Sequence, residues 1–387
     1  MQRRSILFLG LCGLALAQDL SVPSGWREPT NSRSYSDRVS IAQNAINEMT
    51  GQLNSATAQF NGLGWWQSGN VWSVMANQDH FTQTTTNQAA VVNGLNTGWS
   101  EFANYDQYQW WATAAYYGYR AYGDSNLLQH AIDTWNHVSG YQVTAAQASG
   151  GSTPVKGFSI EGTCNGATMA GGVFWRPTSD DQGINSITTG LFMTLGAYLA
   201  EATGNTNYRD AATAAATWIR AHNLNADDIV LDTVNAHDCS TSPSNWLFTY
   251  NSGKYVEGLS VLADVTGDDT WRTLMVDVVA AAAHTTAWQG SNGVITEGVS
   301  TDSDNGSVGF KAVLVRGLHE VYTRSESNTD LRTLVKSYID VQYNALLELA
   351  ANGNTYSSSW AGPSQSFTSW GQLAALDPLT AAIDANN

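Results

Sequence analysis

Basic residues are scarce in this chain: 17 Lys and Arg face 33 Asp and Glu among 387 residues, a formal net charge of −16. That charge repels phosphate backbones, so nucleic acid is excluded as an expected partner while neutral carbohydrate stays open. Charge of either sign is thin, at 13% of residues. Metal chemistry has little to draw on. The three cysteines form no CxxC pair, the seven histidines form no HExxH arrangement, and Asp302 and Asp304 lack the bidentate Glu that completes a calcium loop. There is no G-x-S-x-G elbow and no phosphate-binding glycine loop. The expectation is a protein with no metal and no cofactor.

Long apolar runs are missing too. The one candidate, residues 6–16, follows Arg3 and Arg4 and ends in the small-residue stretch Leu14-Ala15-Leu16-Ala17. It falls short of the ~20 apolar residues a membrane span requires and has the charged, apolar and cleavage regions of a secretory signal peptide. Residues 1–17 are read as that signal, the mature chain as starting near Gln18, and the protein as secreted and extracellular, with no membrane contact after cleavage. Residues 381–387 are polar and lack the hydrophobic tail of a lipid-anchor signal, which predicts release rather than anchoring. Cys12 would leave with the signal. Cys164 and Cys239 remain, and a secreted location permits a disulfide between them without showing that they meet. No linker divides the remainder, so residues 18–387 are read as one domain, acting as a monomer.

What the chain has in abundance is aromatic side chains, 15 Trp and 16 Tyr, and a recurring helical hairpin. Three segments share it: YYGYRAYGDSNLLQHAIDTW after Ala115, GAYLAEATGNTNYRDAATAAATW after Leu195, and SVLADVTGDDTWRTLMVDVVAAAA after Leu259. Each is an Ala/Leu-rich helix, then a turn whose Gly123, Gly204 or Gly267 sits where a helix end needs a left-handed residue. Asp124, Asn205 and Asp268 follow, suited to start the next helix. A weaker copy begins at Val313 with no Gly in its turn, an earlier one lies between Gly69 and Leu95, and a long helix covers about residues 37–53. Repeats of this kind argue for roughly ten to twelve helices stacked as pairs. Ala and Gly at the packing positions suit a closed ring of them, an all-α fold. Strand signals are sparse: GVFWR at Gly172 and GVITEG at Gly293 read as loop ribbons. Loops 145–172, 229–245 and 300–308 run longer than the hairpin turns, as functional rim loops do.

The aromatics cluster. Trp65-Trp66, Trp110-Trp111 and the isolated Trp175 offer indole faces on which the C–H faces of sugars stack. Core packing is the competing use, since adjacent Trp residues on a helix put one ring inward. The segment NYDQYQWWATAAYYGYR from Asn104 carries the sharpest signal. With Asn104 as N-cap, Asp106 and Trp110 share one helix face, and Gln107 and Trp111 share its neighbour. A carboxylate beside the positive helix N-terminus is held ionised, which a glycosidase nucleophile or oxocarbenium stabiliser needs. The alternative is structural: Asn104 and Gln107 resemble a capping box, and Asp106 then only satisfies the helix dipole.

The segments GWWQSGN at Gly64, D-x-x-x-WWA at Asp106, GGVFW at Gly171, TYNSGKYVEGL at Thr249, GVITE at Gly293 and GFKAVLVRGL at Gly309, with the TG-N/D turns between them, occur in an order that resembles glycoside hydrolase family 76, the endo-α-1,6-mannanases. The likeness runs from about Trp65 to Leu376. It implies an (α/α)6 barrel built from helical hairpins and a polysaccharide partner, α-mannan or a related cell-wall glycan, hydrolysed with retention. It also implies sugar contacts from Trp65, Trp66, Trp110, Trp111, Trp175, Asn185, Tyr250 and Lys311. The family places two consecutive aspartates ahead of the tryptophan pair, a nucleophile and then a general acid/base. Asp106 matches the first, and Gln107 occupies the second.

That departure matters because glutamine neither gives nor takes a proton at ordinary pH. General acid–base assistance contributes about 10²–10⁴-fold in rate, and retaining glycosidases use two carboxyl groups. Gln107 would be left to orient a sugar hydroxyl or the leaving oxygen. Asp181 leads the replacement acids, followed by Asp180, Glu161, Glu257, Glu297, Asp302 and Asp304; Asn305-Gly306-Ser307 is the one N-glycosylation pattern. Two readings follow: a hydrolase with a relocated acid, or a catalytically silent glycan-binding protein of the same fold. A transglycosylase would use the same residues, and the missing terminal anchor weighs against it.

Overall fold

The computed structural model describes residues 18–101, 109–302 and 305–387. The expected signal peptide (residues 1–17), Asp106, Gln107 and Asp304 lie outside the described residues. In chain order the helices are α1 (Tyr35–Thr50), α2 (Trp65–Thr82), α3 (Gln88–Glu101), α4 (Gln109–Tyr122), α5 (Ser125–Ser139), α6 (Ala145–Gly150) and α7 (Ser186–Thr203). There follow α8 (Thr206–His222), α9 (Thr249–Thr266), α10 (Asp269–His284), α11 (Phe310–Arg324), α12 (Thr329–Ala345) and α13 (Ser369–Ala385).

The hairpin turns form as their residues dictate. Gly123, Gly204 and Gly267 take φ of +70°, +69° and +64°. The next residues, Asp124, Asn205 and Asp268, then accept backbone N–H bonds from the helices they start. In the α2–α3 turn Gln83 supplies the left-handed residue at φ +54°, and Asn328 caps α12 in the turn that lacks glycine.

Two kinds of helix result. The outer ones are one-sided: α5 buries Leu127, Ala131, Trp135 and Val138, one stripe at helical spacing. The inner ones are covered all round, and every residue of α7 from Ser186 to Ala200 is buried. Six inner helices pack in a closed cycle, α2–α4–α7–α9–α11–α13 and back to α2, while α3, α5, α8, α10 and α12 pack outside it. The sixth outer position is filled by α1 against α13, so the two ends of the chain make the last pair. This is the all-α barrel of helical hairpins that the sequence implies.

Close approach of inner helices depends on glycine. A Cβ on Gly317 would lie 2.1 Å from the Gly253 carbonyl oxygen, and one on Gly253 would lie 2.6 Å from Leu314 Cα, so α9 and α11 meet backbone to backbone. Several charged side chains that the inner helices bury are paired inside the ring. Lys254 Nζ bonds Glu257 at 2.7 Å, and Glu257 also accepts from the hydroxyls of Tyr117 and Tyr198. Arg316 grips Asp377 with two bonds of 2.8 and 2.7 Å and Asn70 with a third of 2.7 Å. At the C-terminal end of the ring Arg120 and Arg324 both bond Glu320, at 2.9 and 2.8 Å.

Among the described residues strand is confined to short ladders. GVFWR and GVITEG make isolated bridges, Val173 with Gln142, Phe174 with Ile184 and Ile295 with Gln289. The longest ladder pairs Gly183–Asn185 with Thr233–Asn235. The loop expected from residue 145 instead opens with the single-turn α6, started by a capping box between Thr144 and Gln147. Cys164 and Cys239 are disulfide-bonded, Cα atoms 5.5 Å apart, and so tie the 145–185 loop to the 229–245 loop.

Candidate functional site

The inner helices all present their N-terminal ends to one face of the ring, and a cleft of about 720 Å³ opens there. Its walls are first turns: Trp65, Trp66 and Gln67 of α2, Gln109 and Trp110 of α4, Ile187 and Thr188 of α7, Tyr250 of α9, Phe310 of α11 and Trp370 of α13. Trp66 lies 5.1 Å from Trp110 and 6.1 Å from Phe310, and Phe310 stacks on Tyr250 at 3.8 Å. Trp110 rests on Ile187, Leu191 and Val313, which makes it the floor. The far wall is loop: Tyr141, Phe174, Trp175 and Pro177. That loop is fixed by Val173 N–H donating to Thr189 Oγ1 at 3.1 Å and Trp175 N–H donating to the Gly183 carbonyl at 2.9 Å. Trp175 is 45% exposed, with the Arg176 guanidinium 3.9 Å above its ring.

Among the described residues no charged side chain lines this cleft. Its polar groups are amides and hydroxyls. Gln67 Oε1 and Gln109 Oε1 are buried acceptors with no bonding partner among the described residues, and Gln109 Nε2 is anchored to the Thr188 carbonyl at 3.2 Å. Such groups suit the hydroxyls of a neutral ligand. Among the described residues no group of three or more His, Cys, Asp or Glu is placed to hold a metal ion.

The structure brings Trp65, Trp66, Trp110, Trp175 and Tyr250 together at the cleft and sets three other expected sugar contacts apart from it. Trp111 is buried: it stacks on Trp65 at 4.2 Å, its Nε1 donates to the Trp65 carbonyl, and a Cβ on Gly98 would lie 2.4 Å from its ring. It is the inward ring of the pair. Asn185 is buried as the N-cap of α7, accepting from Thr188 N–H at 3.1 Å. Lys311 is fully buried, donating to the carbonyls of Glu297 and Ser358 with Nζ 4.7 Å from the Trp360 ring centre. Burial pushes its amine down to about 7, opposed by the negative charge of Glu297.

The candidate acids also take structural posts. Asp181 accepts from Arg176 N–H at 3.2 Å, pinning the turn behind Trp175, and does not line the cleft. Asp180, Glu161 and Asp302 are exposed. Glu257 is fully buried under Lys254 and two tyrosines. Glu297 caps α9, whose Phe248 N-cap offers no side-chain bond: it accepts from Thr249 N–H at 3.0 Å and from the Thr249 hydroxyl. Burial pushes its carboxyl up to about 7 against those two bonds.

Sequence reasoning missed Gln109, Phe310, Phe174, Tyr141 and Trp370. The signal available for Gln109, Phe310 and Trp370 is position: each inner helix opens at the cleft, so its first-turn residues are wall residues, whereas Tyr141 and Phe174 come from loops and carry no such signal. Asp232 was missed too. It is buried and accepts from Asn251 and Thr233 at 3.1 and 2.9 Å, and after burial, the main cause, its charge and that of Glu297 hold the Tyr250 phenol well above its usual range.

A sequence model of glycosyl hydrolase family 76 matches residues 157–386. The mannan endo-1,6-alpha-mannosidase DCW1 of Saccharomyces cerevisiae is 25% identical over 217 residues, 50% of this chain and 46% of that protein. Its namesake from Candida glabrata is 30% identical over 110 residues, 27% of this chain and 25% of that protein. The matched segments thus cover less than half the length of either relative. An inactive variant of the alpha-1,6-mannanase GH76A of Salegentibacter sp. HEL1_6, solved with alpha-1,6-mannotriose, has the same fold, with a TM-score of 0.75 at 15% identity over 90% of this chain and 99% of that one. Dfg5 from Chaetomium thermophilum, solved with glucosamine, is similar at a TM-score of 0.71 and 16% identity, over 91% and 92% of the two chains.

Proposed function

The chain belongs to glycosyl hydrolase family 76, and on that premise we propose that it is a secreted hydrolase of α-1,6-mannan, with Asp106 as the nucleophile. The observation that carries this is the character of the cleft: aromatic, free of charged lining among the described residues, and provided with the unpartnered acceptors of Gln67 and Gln109. Such a cleft matches the apolar faces and hydroxyl edges of a neutral sugar chain and offers nothing to a polyanion. The relatives named for endo-1,6-alpha-mannosidase activity supply the linkage.

Asp106 stands three residues ahead of Gln109, the first residue of α4 and part of the cleft wall. The positive end of a helix favours an ionised carboxylate. Attack on the anomeric carbon would form a glycosyl-enzyme that water then opens, with net retention. The step short of a partner is protonation of the leaving oxygen. Gln107 cannot supply the proton, and the described cleft lining holds no carboxyl group. Turnover of unactivated mannan should therefore run ~10²–10⁴-fold below that of an enzyme with both carboxyls. The same observation favours a second reading, a glycan-binding protein in which turnover is absent altogether.

Export rests on the leader at residues 1–17; no helix of the described residues is long and apolar enough to cross a membrane.

The test is turnover of α-1,6-mannan and of an aryl α-mannoside whose leaving group needs no protonation. The hydrolase reading expects the aryl substrate to be cleaved, Asp106→Ala to abolish cleavage, and Gln107→Asp to raise mannan turnover. Tight binding with neither substrate turned over, in wild type and Gln107→Asp alike, would leave the binding reading standing.

A further inference from the structure

Residues 246–250 read Trp-Leu-Phe-Thr-Tyr and alternate between surface and interior. Leu247 packs against the core and Thr249 is buried, whereas Trp246 is exposed and Phe248 and Tyr250 are half-buried. Phe248, the residue before α9, has extended backbone angles, which turn its neighbours Leu247 and Thr249 to the interior side together. The rings of Trp246, Phe248 and Tyr250 form a strip. Trp246 lies 5.9 Å from Phe248, Phe248 lies 6.1 Å from Tyr250, and Phe248 is 5.5 Å from Phe310. Tyr250 and Phe310 are cleft walls, so the strip continues the cleft lining outward and ends on Trp246.

Trp246 is 45% exposed, as open as Trp175 on the far wall. An open indole of this size at the end of an aromatic row gains little from its own fold. The turn that carries it is nevertheless held in place. The Trp246 main-chain N–H donates to the Pro243 carbonyl at 2.9 Å, and Ser242 N–H donates to the Thr233 carbonyl at 2.9 Å, which fixes the backbone of the turn beside the Gly183–Asn185 ladder. An exposed indole on an anchored turn, continued by two half-buried uncharged rings into a neutral cleft, has the requirements of a stacking platform.

We propose that Trp246 and Phe248 form an outlying platform for further pyranose rings of the same neutral polysaccharide chain that fills the cleft, so that the protein favours long chains over short oligosaccharides. This rests on the reading of the cleft as a mannan site. Trp246 serves binding, and it lies outside the reacting centre.

The experiment compares wild type, Trp246→Ala and Trp246→Tyr for binding to polymeric α-1,6-mannan and to α-1,6-mannotriose. Trp246→Ala should lose roughly tenfold in affinity for the polymer, on the scale of an exposed aromatic anchor, with mannotriose binding unchanged and Trp246→Tyr largely restoring the polymer. Unchanged polymer binding in Trp246→Ala, or an equal loss for both ligands, would overturn the platform while leaving the cleft reading intact. A wild type that binds neither ligand would overturn the cleft reading and the platform with it.

Discussion

Arg316 is 5% exposed and spends its guanidinium on Asp377, itself 6% exposed, and on Asn70. Removing one partner of such a pair strands the other charge in the ring interior. Arg316→Met is expected to destabilise by about 3–5 kcal/mol, read by urea unfolding, and a second change, Asp377→Leu, should recover a large part of it. The residue scale is also where sequence reading reached least far. An adjacent tryptophan pair announces that one ring turns inward, but the face is set by Gly69 and Gly98, which leave room for Trp111 and so send Trp110 to the cleft. Lys311 sits in a segment that resembles cleft lining. Its function as a tie between two carbonyls depends on loops far away in sequence, which no local pattern displays. Asp181 stands a few residues after GGVFW in the sequence, and the backbone N–H it captures, that of Arg176, belongs to the same turn.

At the scale of elements, the turns were legible, and so was a closed ring, but the pair of helices that closes it was not. A glycine followed by Asp or Asn is a local signal with a local cause, and the three turns that carry it formed there. The pairing of α1 with α13 joins the two ends of the chain and has no counterpart in a repeat read along it. The one-turn α6 could have been found, because Thr144 and Gln147 spell a capping box. The glycines inside helices carry a sharper consequence. With the Gly253 carbonyl 2.1 Å from any Cβ at position 317, Gly317→Ala must push α11 off α9. A loss of about 1–3 kcal/mol is expected, whereas Gly123→Asn, at an open left-handed turn with nothing within 4 Å of a Cβ, should cost only a fraction of that. Thermal unfolding of the two variants side by side checks the contrast.

For the whole molecule, the buried lysines make stability depend on pH. Burial lowers the amines of Lys156, Lys254 and Lys311, the last to about 7. In the unfolded chain lysine titrates near ~10.4. Between pH 7 and 10 the unfolded state therefore binds more protons than the folded one, and stability rises with pH across that window and is lost as pH falls toward 7. Lys311→Met should flatten the slope, measured as urea-unfolding free energy at several pH values; an unchanged slope would place Lys311 outside the cause. The barrel also explains why the cleft is where it is. Six inner helices running the same way put six N-termini on one face, and the loop carrying Phe174, Trp175 and Pro177, tied to the 229–245 loop by the Cys164–Cys239 bond, completes its wall.

On the proposed function, the aromatic-walled face holds a neutral mannan chain. Affinity electrophoresis through gels containing α-1,6-mannan tests it most directly. The wild type is expected to be retarded in a way that is insensitive to added salt, and Trp66→Ala and Trp175→Ala are each expected to lose roughly five- to tenfold in affinity. Free migration of the wild type through mannan, or retardation that both tryptophan variants keep in full, would contradict it.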